Sequence, residues 1–291
     1  MSTQITTAFV EQYSSNVTML AQQMGSKLRG AVDVETVRGK NAFFDQIGAT
    51  AAVARTTRHG STPQVDTPHS RRRVSLADYE WADLIDDLDK VRMLIDPTSS
   101  YAKAAAAAMG RSMDDVIIAA FDADAATGVA GGTTTALPAG QKIGATANQT
   151  DGLTVAKLLE AKYILDNNDV DPSIKKYIVC GPKQIQDLLN TTEVKSSDFN
   201  TVKALAQGDI NSFMGFQFIM STRLSFDATN TDDRKIFAFT EDAVKLAIGS
   251  DVKARIDERN DKSYATQVYY SMAIGATRME EEKVVEIRCN E

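Results

Sequence analysis

Ile256-Asp-Glu-Arg-Asn-Asp-Lys-Ser263, Gln267-Val-Tyr-Tyr-Ser-Met-Ala-Ile-Gly-Ala-Thr-Arg278 and Lys283-Val-Val-Glu-Ile287 close the 291-residue sequence. Val252, Ala254 and Ile256 alternate with Lys253, Arg255 and Asp257. Val268, Tyr270, Met272 and Ile274 keep the same spacing, and Val285, Ile287 and Cys289 repeat it. A period of two is that of a strand whose side chains point to opposite faces. Asn260-Asp261 marks the turn. The end of the chain is therefore read as long strands of a sheet with one packed face, whose nearest apolar partner is the long helix upstream.

That helix opens at Pro97, with Thr98, Ser99 and Ser100 as candidate caps. Met109, Met113, Val116, Ile117, Ala120 and Phe121 form one apolar stripe after an alanine run at 104–108. A helix from Ser100 to Asp124 would span roughly 36 Å. Gly110 interrupts it at a cost of about 1 kcal/mol.

Between helix and closing strands the pattern changes twice. Residues 125–150 turn to glycine, threonine and alanine, with Gly131-Gly132 and Pro138, and read as a loop or short hairpin. No GxxxxGK[ST] or GxGxxG spacing supports a phosphate cradle there. From Asp151, a candidate cap, Val155, Leu158, Leu159 and Tyr163 predict a helix; Tyr177–Cys180 predicts a strand. Ile185, Leu188 and Leu189 predict a second helix, and Phe216, Phe218, Met220 and Ile236–Phe239 further strands. Residues 151–249 thus form an α/β lobe.

Upstream of the long helix, Thr50–Arg58 reads as extended, 59–70 as a loop marked by Gly60, Pro63 and Pro68, and Arg71–Trp81 as a returning strand. The pair predicts a polar two-stranded ribbon, which is marginal alone in water. Its charges separate: Arg55, Arg58, Arg71, Arg72 and Arg73 lie toward the loop, while Asp78, Glu80, Asp83, Asp86, Asp87 and Asp89 follow. Such segregation suits head-to-tail docking between identical subunits, or describes two solvated faces. Before it, Phe9, Tyr13, Val17, Leu20, Met24 and Leu28 make the stripe of an N-terminal helix, packed on its own domain or on a neighbour.

The chemistry expected of an enzyme is sparse. His59 and His69 both fall in the ribbon loop with Asp66 as the one carboxylate between them, too few ligands for a metal. The acidic run Asp83, Asp86, Asp87 and Asp89 lacks calcium-loop spacing. Trp81 and Tyr79 could stack on bases, but their acidic neighbours repel a polyanion. Cys180 and Cys289 read as buried hydrophobes. No catalytic residue, cofactor or metal is assigned. A net charge of −7 disfavours tight phosphate binding while permitting enclosure of nucleic acid. Neither a signal peptide nor an apolar stretch of membrane-spanning length is present in the sequence, which predicts cytoplasmic synthesis.

The order of these elements and the closing segment resemble tailed-bacteriophage major capsid proteins of the Hong-Kong-97-type, an α+β fold. The resemblance covers essentially the whole chain. It implies an N-terminal arm over 1–48, an extended loop over 49–95, a spine helix and loop over 96–150, an axial domain over 151–249, and C-terminal peripheral-domain strands over 250–291. It further implies hexamers and pentamers of this chain closing an icosahedral virion capsid around double-stranded DNA, without sequence-specific binding and without a membrane. Portal, scaffold and cement proteins would be its partners, with assembly in the host bacterial cytoplasm. Arg55, Arg58, Arg71, Arg72, Arg73, Asp83, Asp86 and Asp87 are the expected intersubunit contacts. No lysine lies between Lys40 and Lys90, so the covalent cross-link of some relatives is not expected. Met1 favours a separate scaffold over a cleaved leader. On this reading, a chain lacking residues 55–73 folds but builds no shell, and reversing Arg71–Arg73 harms assembly more than folding. An encapsulin-like compartment, a soluble enzyme using the 151–249 lobe, and a DNA-binding module are the competing functions.

Overall fold

A computed structural model describes residues 22–86, 98–145, 149–191 and 212–291. Phe9, Tyr13, Val17 and Leu20 of the expected N-terminal stripe lie outside them, as do Asp87 and Asp89. The chain divides into two compact units, Met1–Ser26, Asp78–Ser112 and Ser250–Ala273 in one, and Lys27–Ala77, Met113–Gly249 and Ile274–Glu291 in the other.

The long helix, α1, runs from Thr98 to Asp122. Ala105, Ala107 and Met109 are buried in its first half; Met113, Ile117, Ile118, Ala120 and Phe121 are buried in its second. It stops two residues before the expected Asp124. Arg278, fully buried, donates from Nη1 to the carbonyls of Phe121 (2.7 Å) and Ala123 (3.0 Å) and from Nη2 to Thr135 O (3.0 Å). Those carbonyls at the helix end have no partner inside the helix, and a cation complements the helix dipole. A residue 157 positions away therefore sets the end of α1.

The second unit is built on a mixed six-stranded sheet. Its strands are β7 (Lys142–Ile143), β8 (Lys176–Cys180), β9 (Ser212–Phe213), β10 (Phe216–Met220), β11 (Asp233–Thr240) and β14 (Val284–Asn290), in the order β7-β14-β11-β8-β10-β9. β8 pairs parallel with β10 and antiparallel with β11. Helices α2 (Val155–Asn167) and α3 (Pro182–Asn190) accompany it. Phe121 of α1 sits 4.5 Å from Phe239 and 5.2 Å from Phe237, ring centre to ring centre, a geometry favoured by aromatic pairs. Cys180 and Cys289 are free and buried, and burial pushes both thiols up to about 12.

The expected single C-terminal sheet needs correction. β12 (Val244–Arg259) and β13 (Ala265–Arg278) do run side by side, in a sheet ordered β1-β12-β13-β4 with β1 (Asp33–Thr36) and β4 (Ala77–Ile85). The last strand leaves them: β14 inserts between β7 and β11 in the lobe sheet. Val284, Val285, Glu286, Ile287 and Cys289 are all buried. A strand covered on both faces need not alternate, and the adjacent Val284-Val285 pair is the visible sign of it. The cap of α2 also moves: Thr154, not Asp151, accepts from Lys157 N at 3.4 Å.

The ribbon is corrected too. Arg71–Ser75 belong to β3 (His69–Ser75), whose partner is β2 (Asn41–Ile47), with Ile47 opposite His69 and Asn41 opposite Ser75. β3 continues to β5 (Ala125–Thr127) and β6 (Thr133–Thr135), so the glycine-rich stretch contains a hairpin. Thr50–Arg58 joins no strand among the described residues. Alanine, threonine and arginine there, with Val53 exposed among them, make no apolar face to pack, whereas Phe44 of β2 is buried beside Val74 of β3.

Candidate intersubunit surface

Two bonded ends bracket a long exposed stretch of the chain. Gly48 N donates to Pro68 O at 2.8 Å, closing the β2–β3 ladder, and every residue from 47 to 70 is exposed. Structureless runs longer than about 12–15 residues are uncommon inside compact domains and are usually functional. Ile47, Val53 and Val65 are apolar and exposed here, and Arg55 and Arg58 carry charge, with Arg55 Nε donating to Thr57 O (3.0 Å). Backbone of this length, without ladder partners of its own, has donors and acceptors available to another chain.

The three neighbouring arginines do different work. Arg71 forms an exposed ion pair with Asp45, its cross-strand partner, at 2.5 Å, and lies over the Phe43 ring. The hydrogen bond from Arg71 holds the Asp45 carboxyl below its usual range. Arg73 is half-buried and crosses Gly131, where a Cβ would fall 2.6 Å from the Arg73 Cδ. Arg72 departs from the expected surface contact. It shares the inward face of β3 with Val74, is 7% exposed, and donates to Met279 O (2.9 Å) and to both oxygens of Glu281 (2.8 and 2.6 Å). Arg278 Nε approaches Glu281 from elsewhere, at 3.6 Å. An ion triad Arg72–Glu281–Arg278 is therefore buried in the subunit. The sequence showed a block of charge, but strand alternation sends its middle member inward.

In the other unit, β4 alternates as expected: Tyr79, Trp81 and Asp83 are half-buried, and Glu80 and Asp86 are exposed. Tyr269 Oη donates to Glu80 at 2.9 Å. Asp83 Oδ1 accepts from Leu84 N (2.8 Å). The outer part of β12 was expected to pack one face, yet Lys253 through Glu258 are exposed on both, with Ile256 at 51%. Sequence reasoning missed a further apolar pair, Leu159 and Tyr163, one turn apart on the solvent side of α2, because it assigned them to the core stripe; Leu158, Ala161 and Leu165 are buried instead.

A second charge network lies beside the lobe sheet. Lys235 reaches Asp122 (2.6 Å) and Asp227 (3.7 Å), Lys142 reaches Asp122 (3.4 Å) and buried Glu286 (3.3 Å), and Arg288 reaches Glu286 (2.8 Å) and Asp227 (3.1 Å). Burial pushes the Asp122 carboxyl up, but the Lys235 hydrogen bond and the charges of Lys235 and Lys142 outweigh it and hold it low. Asp227 is likewise held low against burial, by the Asn230 N–H and Arg288. A depressed carboxyl stabilises above its unfolded value near 3.9 and stops doing so as pH falls through the lower folded value. Lys235→Met is therefore expected to cost about 1–3 kcal/mol near pH 6 and progressively less toward pH 2. Urea midpoints across that range check it; a pH-independent difference would contradict the assignment.

Among the described residues no group of three His, Cys, Asp or Glu side chains could hold a metal, and no helix is long and apolar enough to cross a membrane. His59 and His69 are both exposed.

No curated protein matches this chain. Solved structures do. The capsid of cyanophage P-SCSP1u is similar with a TM-score of 0.78 and 18% identity, covering 100% of this chain and 96% of that one. The capsid of Ralstonia phage GP4 gives 0.75 and 11%, covering 97% and 95%. The head structure of Helicobacter pylori bacteriophage KHP40 gives 0.73 and 11%, covering 100% and 98%. At these identities the likeness establishes the fold. The sequence itself matches the phage capsid protein family over residues 5–291. With the match running nearly end to end, the chain belongs to the phage capsid protein family.

Proposed function

We propose that this phage capsid protein is the major head subunit of a tailed bacteriophage, non-enzymatic, assembling as hexamers and pentamers into an icosahedral shell around double-stranded DNA. The observation that carries the reading is the exposed segment 47–70, unladdered from 49 to 67, in a chain matched to the capsid family almost throughout. The segment has no packing partner of its own, and neighbouring copies supply one. Arg55 and Arg58 on it, with Asp83 on β4 and Asp86 just after that strand, are the side chains proposed to meet across copies, and Arg73 and Asp87 remain candidates. Arg71 and Arg72 contribute through the fold. Exposed pairs are worth about 0–1 kcal/mol each, so they set register and leave bulk affinity to buried area.

The division into arm 1–48, extended loop 49–95, spine helix and loop 96–150, axial domain 151–249 and closing strands 250–291 is part of the same proposal. So are assembly in the host cytoplasm and partnership with portal, scaffold and cement proteins. The family match does not favour an encapsulin-like compartment. A net charge of −7 supports enclosure of DNA over adhesion to it. Particles purified from infected cells are expected to hold nuclease-protected double-stranded DNA whose retention barely changes between 50 and 200 mM salt, where a phosphate-gripping protein would lose orders of magnitude. Particles filled with protein cargo and free of DNA would overturn the reading.

A further inference from the structure

We infer that Tyr264, at the tip of the hairpin joining β12 and β13, is a contact side chain that packs against a second copy of this chain; this rests on the shell reading above. The turn occupies residues 260–264, between the end of β12 at Arg259 and the start of β13 at Ala265. Lys262 N donates to Arg259 O (3.1 Å), and Ala265 N donates to Lys262 O (2.9 Å). The second bond closes a turn whose two central residues, Ser263 and Tyr264, have φ of 52° and 59°. Positive φ at both centres is the requirement that Asn-Gly meets most readily in hairpins. A bulky side chain there brings its Cβ close to the following carbonyl oxygen, so Tyr264 is strained. Glycine at this position would remove the strain, yet the chain keeps the ring.

The surrounding side chains hold that conformation. Arg259 donates from Nε and Nη2 to the two carboxylate oxygens of Asp261 (both 2.7 Å) and from Nη1 to Gln267 Oε1 (2.9 Å), tying the two sides of the turn together. Strained residues persist where their surroundings over-determine them, and they concentrate at functional positions. The ring serves its own subunit little: Tyr264 is 63% exposed and makes no hydrogen bond or ring contact with the described residues. Tyrosine supplies a large contact area at small entropic cost and is enriched where proteins meet. The kind of partner follows from charge. The ionised side chains from Asp251 to Lys262 cancel, with both signs interspersed. Such a hairpin draws no polyanion and can lie against a copy of the same chain. Lys253 through Glu258 are exposed on both faces of the strand, Ile256 among them, so the hairpin presents apolar side chains within a neutral polar frame. That is the composition of a contact between proteins.

Tyr264→Asn separates contact from folding, because asparagine enters the left-handed region readily and lacks the ring. The unassembled full-length variant is expected to be at least as stable as the wild type, with a folded-to-unfolded ratio raised by roughly two- to ten-fold as strain is relieved. Assembly should move the other way. The subunit concentration at which closed particles first form should rise by roughly ten-fold or more, the effect of removing a tyrosine hot spot. Tyr264→Phe, which keeps the ring, should assemble at the wild-type concentration. Urea midpoints read the first effect, and sedimentation of particles reads the second. Wild-type assembly by the folded asparagine variant, or a loss of assembly matched by a loss of stability, would overturn the inference. Failure of the wild-type chain itself to form shells would instead defeat the shell reading, and self-association of wild-type and Tyr264→Asn subunits, compared by sedimentation, would still judge whether the tip joins copies.

Discussion

Replacing Glu281 with alanine is expected to cost about 3–5 kcal/mol of folding free energy, the usual penalty for removing one partner from a buried ion pair. Glu281 lies between two buried guanidinium groups, Arg72 at 2.6 Å and Arg278 at 3.6 Å. Without it, two buried cations keep the carbonyls of Met279, Phe121, Ala123 and Thr135 but lose the carboxylate between them. Glu281→Gln, which keeps an acceptor, should cost less than Glu281→Ala. Domains are commonly stable by only about 5–15 kcal/mol, so the alanine variant should express largely insoluble or unfold at much lower urea. A loss under about 1 kcal/mol would mean the triad is not held as described. For the same reason reversing Arg71, Arg72 and Arg73 together tests folding: Arg72 alone would bring a carboxylate against Glu281.

The second large effect falls on assembly and spares the fold. Replacing residues 49–67 by Asn-Gly keeps Gly48 and Pro68, whose hydrogen bond already closes the β2–β3 ladder, and supplies a turn suited to two residues. Loop closure becomes less costly by roughly 2 kcal/mol, so melting should hold or rise. Closed shells should disappear. The broader deletion of 55–73 suggested by the sequence would not separate the two effects, since it removes most of β3 and the buried Arg72. Circular dichroism with sedimentation reads both outcomes, and wild-type particle yields from the folded deletion would contradict the role given to the segment.

What the sequence made legible is local. The α1 stripe, the Tyr177–Cys180 strand and the alternation of Val268, Tyr270, Met272 and Ile274 each declare themselves within a few residues. The pairing of β3 with β2 did not: Phe43 and Phe44 are adjacent, which hides a strand from a period-two search, and the partner lies across 21 residues of loop between Ile47 and His69. The buried triad was hidden for a related reason. Consecutive arginines look solvated until the strand's two faces are known, and Glu281, far along the chain, carries no local mark. Likewise β14 reads as one more closing strand until its neighbours β7 and β11 are seen. Of the candidate contact residues, Arg55 and Arg58 lie on the exposed segment and Arg72 is buried inside the subunit.

Electron microscopy of the purified, overexpressed full-length chain tests the central claim most directly. Closed icosahedral shells are expected, with density for residues 48–68 lying against an adjacent copy. A self-contained monomer or small oligomer, with that segment folded onto its own subunit and no shells at any concentration, would contradict it.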